Sequence, residues 1–162
     1  MTDPANSLQS FQEELLLGTV RPTPTRLDPD LFLCRDSPLG KGSRMTYVRL
    51  ERSTLTALVM FVPEEYIDGV PCAGIGYAVP QGYRGQGRAK EIIRAAIADM
   101  QYGLGLQGIP AFYVEAIVGA DNSASRRVAE QLISTTPEAM TDGLSGLPAF
   151  RYIRLIEKVG SG

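Results

Sequence analysis

The chain contains no histidine and no tryptophan, and only two cysteines, among 162 residues. The missing histidine excludes every Ser-His-Asp triad, Cys-His pair and His-ligated zinc site at once. A catalytic base must therefore be a carboxylate, tyrosine, lysine, cysteine, chain terminus or water. Cys34 and Cys72 form no C-x-x-C redox or metal motif and no disulfide framework, so both are expected as reduced thiols. Long apolar runs are absent too. After Thr54 the longest, interrupted only by Thr56, is Leu55 to Val62, far short of the roughly 20 residues that a membrane helix needs. The opening Met1-Thr2-Asp3-Pro4 lacks a basic segment followed by an apolar one, so no signal peptide is expected and a cytoplasmic location is the default. Sixteen basic against eighteen acidic residues leave a net charge of −2. That balance argues against a mainly electrostatic grip on nucleic acid or anionic membrane, while leaving local basic patches open.

What is present suits one soluble domain spanning residues 1–162, with 44% hydrophobic and 21% charged residues. Leu8, Phe11 and Leu15 at helical spacing predict a short amphipathic helix, with Asn6 or Ser7 as cap and Gly18 as stop. Asp28-Pro29 is expected to open a second helical turn before Pro38, and the polar loop Ser37 to Ser43 either borders a site or is merely mobile. Strands are predicted at Met45–Leu50, Leu55–Val62 and Cys72–Val79. The second is apolar on both faces, which places it inside a sheet covered on both sides. In the third, Ile75, Tyr77 and Val79 alternate with Gly74, Gly76 and Ala78, so one face is nearly bare backbone that another chain or a ligand can approach closely. Gly87 to Gln101 carries one apolar stripe, Ala89, Ile92, Ile93, Ala96, Ile97 and Met100, and reads as the clearest helix. Beyond it, Phe112–Val118 reads as a buried strand, Asn122–Ile133 as a helix capped by Asp121 or Asn122, and Phe150–Ile156 as a final strand. Thr135–Pro148 has room for one short strand.

Glycine is enriched, at 17 residues, and its placement matters more than its count. Gln81-Gly-Tyr-Arg-Gly-Gln-Gly-Arg-Ala89 joins a buried strand to the strongest helix. Such a turn aims backbone N–H groups and the helix dipole at one place, which favours phosphate, and Arg84 and Arg88 add cationic donors suited to a diphosphate. The plainer alternative is a tight turn with solvated arginines. Gly103-Leu-Gly-Leu-Gln-Gly108 matches the letters of a dinucleotide fingerprint but follows a helix and precedes a strand, the reverse of the required order. It reads as a helix stop and loop. Gly40-Lys-Gly-Ser43 lacks the upstream glycine and the Gly-Lys-Ser/Thr ending of a nucleoside triphosphatase loop.

Arg84-Gly-Gln-Gly-Arg-Ala89 fits the R/Q-x-x-G-x-G/A signature of the GNAT superfamily of acyl-CoA-dependent N-acyltransferases, and IGYAVPQGYRGQGRAKEII resembles that family's strand, loop and helix for acyl-CoA. Ala116-Ile-Val-Gly-Ala-Asp-Asn-Ser-Ala-Ser-Arg-Arg-Val128 resembles its second block, a strand leading to an N-x-x-S helix start, as in the branch that acetylates ribosomal-protein N-termini. The resemblance covers about Arg44 to Ile156. It implies an α/β fold with a mixed, largely antiparallel sheet of six to seven strands and helices on both faces.

The resemblance further implies acetyl-CoA as cosubstrate, without a metal. The amides of Arg84, Gly85, Gln86, Gly87, Arg88 and Ala89 would wrap the pyrophosphate. A splay between the glycine-bearing strand and Phe112–Val118 would admit the pantetheine arm, amides near Ala78 and Val79 would polarise the thioester carbonyl, and Asn122 would contact the arm or simply cap its helix. An amine would attack the thioester directly in a ternary complex. Glu115, inside an otherwise apolar strand, is the candidate base, and its structural alternative is an ion pair with Arg151 or Arg154. Glu64, Glu65 and Asp68 are expected as solvated loop residues. Many members carry a tyrosine seven residues beyond the asparagine to protonate the leaving thiolate. Here that position is Ala129, and Ser125 is the substitute, or else only a first-turn hydroxyl. Cys34 and Cys72 are expected as small buried hydrophobes rather than acyl carriers.

The implied partners are an amine acceptor, small molecule or protein amine, and no nucleic acid or membrane, with room for a homodimer. Two other classes stay open at this point: a catalytically silent acyl-CoA-binding or protein-interaction module, and a generic nucleotide-binding α/β protein.

Overall fold

A computed structural model of the protein describes residues 3–36 and 43–157. The chain opens with α1, Pro4–Leu17. Asp3, not Asn6 or Ser7, caps it by accepting a 2.9 Å hydrogen bond from the Ala5 amide, and Pro4 takes the first helical position, where a missing N–H costs nothing. Gly18 closes the helix at φ 74°. The expected helical turn after Asp28 is reduced to one hydrogen bond, from Leu31 N to Asp28 O at 3.1 Å. The chain then forms β1, Thr23–Pro24, and β2, Phe32–Asp36. Period-two burial explains the strand: Leu31 and Leu33 join the core on one face of the sheet, Phe32 and Cys34 that on the other. Of the Ser37–Ser43 loop, residues 37–42 lie outside the described residues.

The rest follows as β3 Arg44–Glu51, β4 Thr54–Ile67, β5 Val70–Ala78, α2 Arg88–Leu106, β6 Ala111–Gly119, α3 Ser123–Leu132, β7 Glu138–Thr141 and β8 Pro148–Glu157. They build one sheet of order β1-β2-β3-β4-β5-β6-β8-β7, with eight strands where six or seven are expected, because β1 and β2 extend one edge. Every neighbouring pair is antiparallel except β5 and β6, which α2 joins in a crossover. β4 is longer than predicted: its pairing with β5 continues past Val62, through Glu64, to Ile67 across an irregularity. α2 also outruns its predicted end. A side chain at Gly103 or Gly105 would meet open space, and the helix stops only at Gly108, whose φ of +79° allows Ile109 N to reach back to Leu104 O at 2.9 Å.

α2 and α3 cover one face over a core that includes Tyr47, Val59, Phe61, Ile92, Ala96 and Val114. On the other face α1 lies over β4 and β5, with Phe11 against Leu58 and Met60. Among the described residues no helix packs closely on β6 and β8 there, where Tyr113, Glu115, Arg151 and Ile153 are half-buried and Ile117 is exposed. No described helix is long and apolar enough to cross a membrane.

Arg49 on β3 ties three segments together, bonding Asp28 at 2.6 Å and Glu91 of α2 at 2.9 and 2.6 Å. That guanidinium is the main reason the Asp28 carboxyl is held below its usual range. A depressed carboxylate contributes stability above its unfolded pKa of roughly 3.9, lost as pH falls through the folded value. Asp28→Asn is therefore expected to lose about 1 kcal/mol or less at pH 7, since the pair is partly exposed. The deficit should close below about pH 4, as urea melts at both pH values would show.

Candidate active site

β5 and β6 pair only at Cys72–Tyr113, Ala73–Val114 and Gly74–Glu115. Beyond that point each strand stays paired on its outer side, β5 with β4 as far as Leu58–Ala78 and β6 with β8 as far as Gly119–Ala149. The two strands therefore diverge from an apex at Gly74 and Glu115, and the splay opens toward their carboxyl ends, where open α/β sheets bind ligands. In an extended strand alternate residues turn N–H and C=O to the same side. Two of the four residues Ile75–Ala78 thus direct backbone groups into the opening.

At the wide end stands the glycine-rich turn. Pro80 leads into a single 3₁₀ turn, Gln81–Tyr83, and then Gly85 and Gly87 both adopt left-handed backbone, at φ 74° and 72°. Gly87 is the N-cap of α2 and has no side chain to satisfy the helix amides; the first helical bond runs from Glu91 N to Gly87 O at 3.1 Å. The N–H groups of Arg88, Ala89 and Lys90 are left for solvent or a ligand. Arg84 braces the entry by donating from Nε to Val79 O at 2.9 Å. Arg88 is engaged as well, with Glu51 at 3.1 Å, Gln86 at 3.1 Å and the Tyr83 ring at 5.0 Å. Backbone donors, more than free cations, are what this turn presents.

Two carboxylates meet at the apex, on the face that α1 only partly covers. Glu115, whose side chain is 15% exposed, accepts from Arg151 Nε at 2.6 Å, and Glu138 lies 3.7 Å from the same guanidinium. Arg154 is on the opposite face and donates to Leu132 O at 2.9 Å, so Arg151 is the ion-pair partner. Glu64 reaches over Gly74, with Oε1 2.7 Å from where a Cβ at that glycine would stand. Its carboxyl is pushed above the usual range, first by burial and then by the Glu115 charge. The Cys72 thiol beside them is pushed up to about 11 by burial and the same two carboxylates. It stays protonated, unfit as an acyl carrier.

Residues 39–132, more than half of the chain, match the family of acetyltransferase (GNAT) domains. The chain belongs to the GNAT acetyltransferase family. Solved structures agree on the fold. A GNAT-family acetyltransferase from Streptococcus pneumoniae aligns over 70% of this chain and 66% of its own, with TM-score 0.52 and 12% identity. The yncA protein of Salmonella typhimurium, solved with its cofactor acetyl-CoA, aligns over 74% and 68%, with TM-score 0.54 and 16% identity. RimL, an α-N-acetyltransferase of ribosomal protein L7/L12, aligns over 72% of each chain, with TM-score 0.53 and 24% identity. The chain thus spans about two-thirds of these relatives' lengths. RimL is one of several neighbours at low identity, so the likeness singles out no branch of the family. No curated protein matches the sequence.

On the other face of this GNAT sheet, α3 roofs the splay. Asn122 Oδ1 caps it, accepting from Ser125 N at 3.1 Å, and Tyr77 of β5 fastens its first turn by donating to Ser125 O at 2.7 Å. Burial holds the Tyr77 phenol well above its usual range. The structure thus brings Glu115 to the apex, Ala78 and Val79 to the wide end, Arg84 through Ala89 to the turn, and Asn122 and Ser125 to the helix start above. Sequence reasoning places Glu64 in a loop; it stands on β4 instead, exposed as expected. It falls past the predicted end of β4, and only the pairing of β4 with β5 sets it over Gly74. Among the described residues no group of three or more Cys, Asp or Glu is placed to hold a metal ion.

Proposed function

We propose that this GNAT domain transfers the acetyl group of acetyl-CoA to an amine by direct attack in a ternary complex. The observation that carries the reading is the early end of β5–β6 pairing, facing the uncapped amides of the α2 turn. About 3.3 Å per residue separates apex from turn along β5, so an extended arm lying beside Ile75–Val79 connects the two. The amides of Arg84, Gly85, Gln86, Gly87, Arg88 and Ala89 would hold the pyrophosphate, Ala78 and Val79 would pair with the arm, and Asn122 would touch it from above. When bound, acetyl-CoA supplies an activated thioester carbonyl. Inward-facing amides of Ile75–Ala78 would donate to its oxygen as charge develops there.

An attacking amine must be neutral, so its proton has to leave. The Glu64–Glu115 pair is assigned that task. Arg151 pairs with Glu115, and burial first and the Glu115 charge second push the Glu64 carboxyl above its usual range. Glu115 itself, with Oε2 bonded to Arg151, remains part of the acceptor pair. Ser125 is a hydroxyl donor at the mouth of the splay. The face beyond α1 would admit the amine, small molecule or protein terminus.

Acetyl-CoA at 100 times its Kd should raise stability by about 2.7 kcal/mol, read as a melting-temperature shift that nucleotides lacking pantetheine do not reproduce. A panel of polyamines, amino sugars and N-terminal peptides, followed by free-thiol release, then tests transfer. Tight CoA binding with no turnover on any acceptor would replace this reading with a silent acyl-CoA-binding module.

A further inference from the structure

Tyr152 of β8 is fully buried, and its hydroxyl has no hydrogen-bond partner among the described residues. Its position explains why that is notable. On this side of β8, Phe150 lies 4.2 Å under the Arg126 guanidinium near the start of α3, and Arg154 bonds the Leu132 carbonyl at the end of α3. Tyr152 stands between them, beneath the middle of α3, where the fully buried Ala129 contributes only a methyl group. In register Tyr152 faces Ala116, the first residue of β6 beyond the last β5–β6 pair. At that position β6 thus presents only a methyl group beside the phenol, one residue from the apex of the splay. The hydroxyl of Tyr77, across the opening, is committed to Ser125 O; that of Tyr152, sealed from solvent, has no partner among the described residues.

A buried hydroxyl that pairs with nothing costs stability that phenylalanine would not. We propose that Tyr152 is a catalytic residue whose hydroxyl donates a hydrogen bond to the thioester sulfur and stabilises the thiolate as the C–S bond breaks. This rests on the transferase reading above. The amine nitrogen forms the new bond to the carbonyl carbon, the C–S electron pair goes to sulfur, and the amine proton goes to Glu64. Glu64 then passes that proton to solvent, the thiolate takes one from solvent in exchange, and Tyr152 contributes only its hydrogen bond. Nucleophile and leaving group are thus served from opposite faces of the sheet, the carboxylates on one and the phenol on the other.

Tyr152→Phe separates this role from a packing role. The variant should melt at the same temperature as the parent or higher, bind CoA through the same turn, and lose about 100-fold in kcat, the loss typical of one donor to developing charge. A readout independent of turnover is the thiol of bound CoA, titrated by thiolate absorbance in the ultraviolet. Its pKa should lie below that of free CoA in the parent and return toward the free value in Tyr152→Phe. Replacing Tyr152 by 3-fluorotyrosine keeps the shape and strengthens the donor, so the bound thiol should titrate lower still. If Tyr152→Phe instead melts lower while kcat and the thiol titration are unchanged, the hydroxyl only holds a structural water and the proposal is wrong. Failure of the parent to bind CoA at all would sink the transferase reading itself, a distinguishable result.

Discussion

Gly87→Val is expected to weaken acetyl-CoA binding by more than about 100-fold while leaving the fold intact. At φ 72° the residue sits in left-handed backbone, which costs an ordinary side chain roughly 1–2 kcal/mol and a β-branched one more. The added Cβ would meet no neighbour within 4 Å, so no clash propagates into the core. The strain is relieved where the chain is exposed, by re-turning the loop. That movement swings the Arg88, Ala89 and Lys90 amides away from their common focus, and without a capping side chain nothing restores them. Loss of binding with little change in melting temperature, measured by calorimetric titration of CoA, is the expected result. Unchanged affinity would show that the turn does not hold the pyrophosphate. Gly103→Ala serves as the comparison: Gly103 lies inside α2, a side chain there meets open space, and the substitution should add about 0.5–1 kcal/mol of stability with no effect on binding.

The contrast between those two glycines also shows how far the sequence can be read. Gly85 and Gly87 stand in a strand-to-helix turn, and the structure gives both the left-handed backbone that only glycine adopts freely. Gly103 and Gly105 carry the letters of a loop but lie inside a helix. Helix propensity costs about 1 kcal/mol per glycine, and burial of Ile97 and Met100 on the α2 stripe outweighs it. The buried strands were legible because period and apolarity agree in Leu55–Phe61 and Phe112–Val118. The strands at one edge were not, since β1 has two residues and β2 follows an Asp-Pro that signals a turn, whereas β7 at the other edge falls where Thr135–Pro148 left room for one short strand. The same limit hid half of the apex. Glu115 could be found because a charge inside an apolar strand is conspicuous. Glu64 looked like loop because Pro63 and Glu65 flank it, and only the pairing of β4 with β5 places it over Gly74. Tyr152 carries no local signal at all, since an aromatic in a closing strand is what any core would hold.

Glu64→Gln is expected to lower kcat/KM by roughly 100- to 10,000-fold, the span typical of a general base. The amide keeps the size of the carboxyl and its place over Gly74 but cannot take a proton. Stability should hold or rise slightly, because a carboxylate above its usual range is one that the folded state disfavours in its charged form. In the parent, activity rises with pH as Glu64 loses its proton, on a limb lying above the ordinary glutamate range; in Glu64→Gln that limb should vanish. Glu115→Gln separates the two carboxylates. If Glu115 only supplies charge, its removal lets Glu64 ionise more easily, moving the limb to lower pH and weakening the base, with a smaller loss of rate. If Glu115 is itself the base, the order of the two losses reverses. Gly74→Ala gives an independent check, because its Cβ would stand 2.7 Å from Glu64 Oε1. The colliding atom is the end of a flexible side chain, so the carboxyl moves rather than the backbone. A stable Gly74→Ala protein with a rate near that of Glu64→Gln would tie the proton acceptor to that position over the apex, and full activity with the carboxyl displaced would remove Glu64 from the reaction.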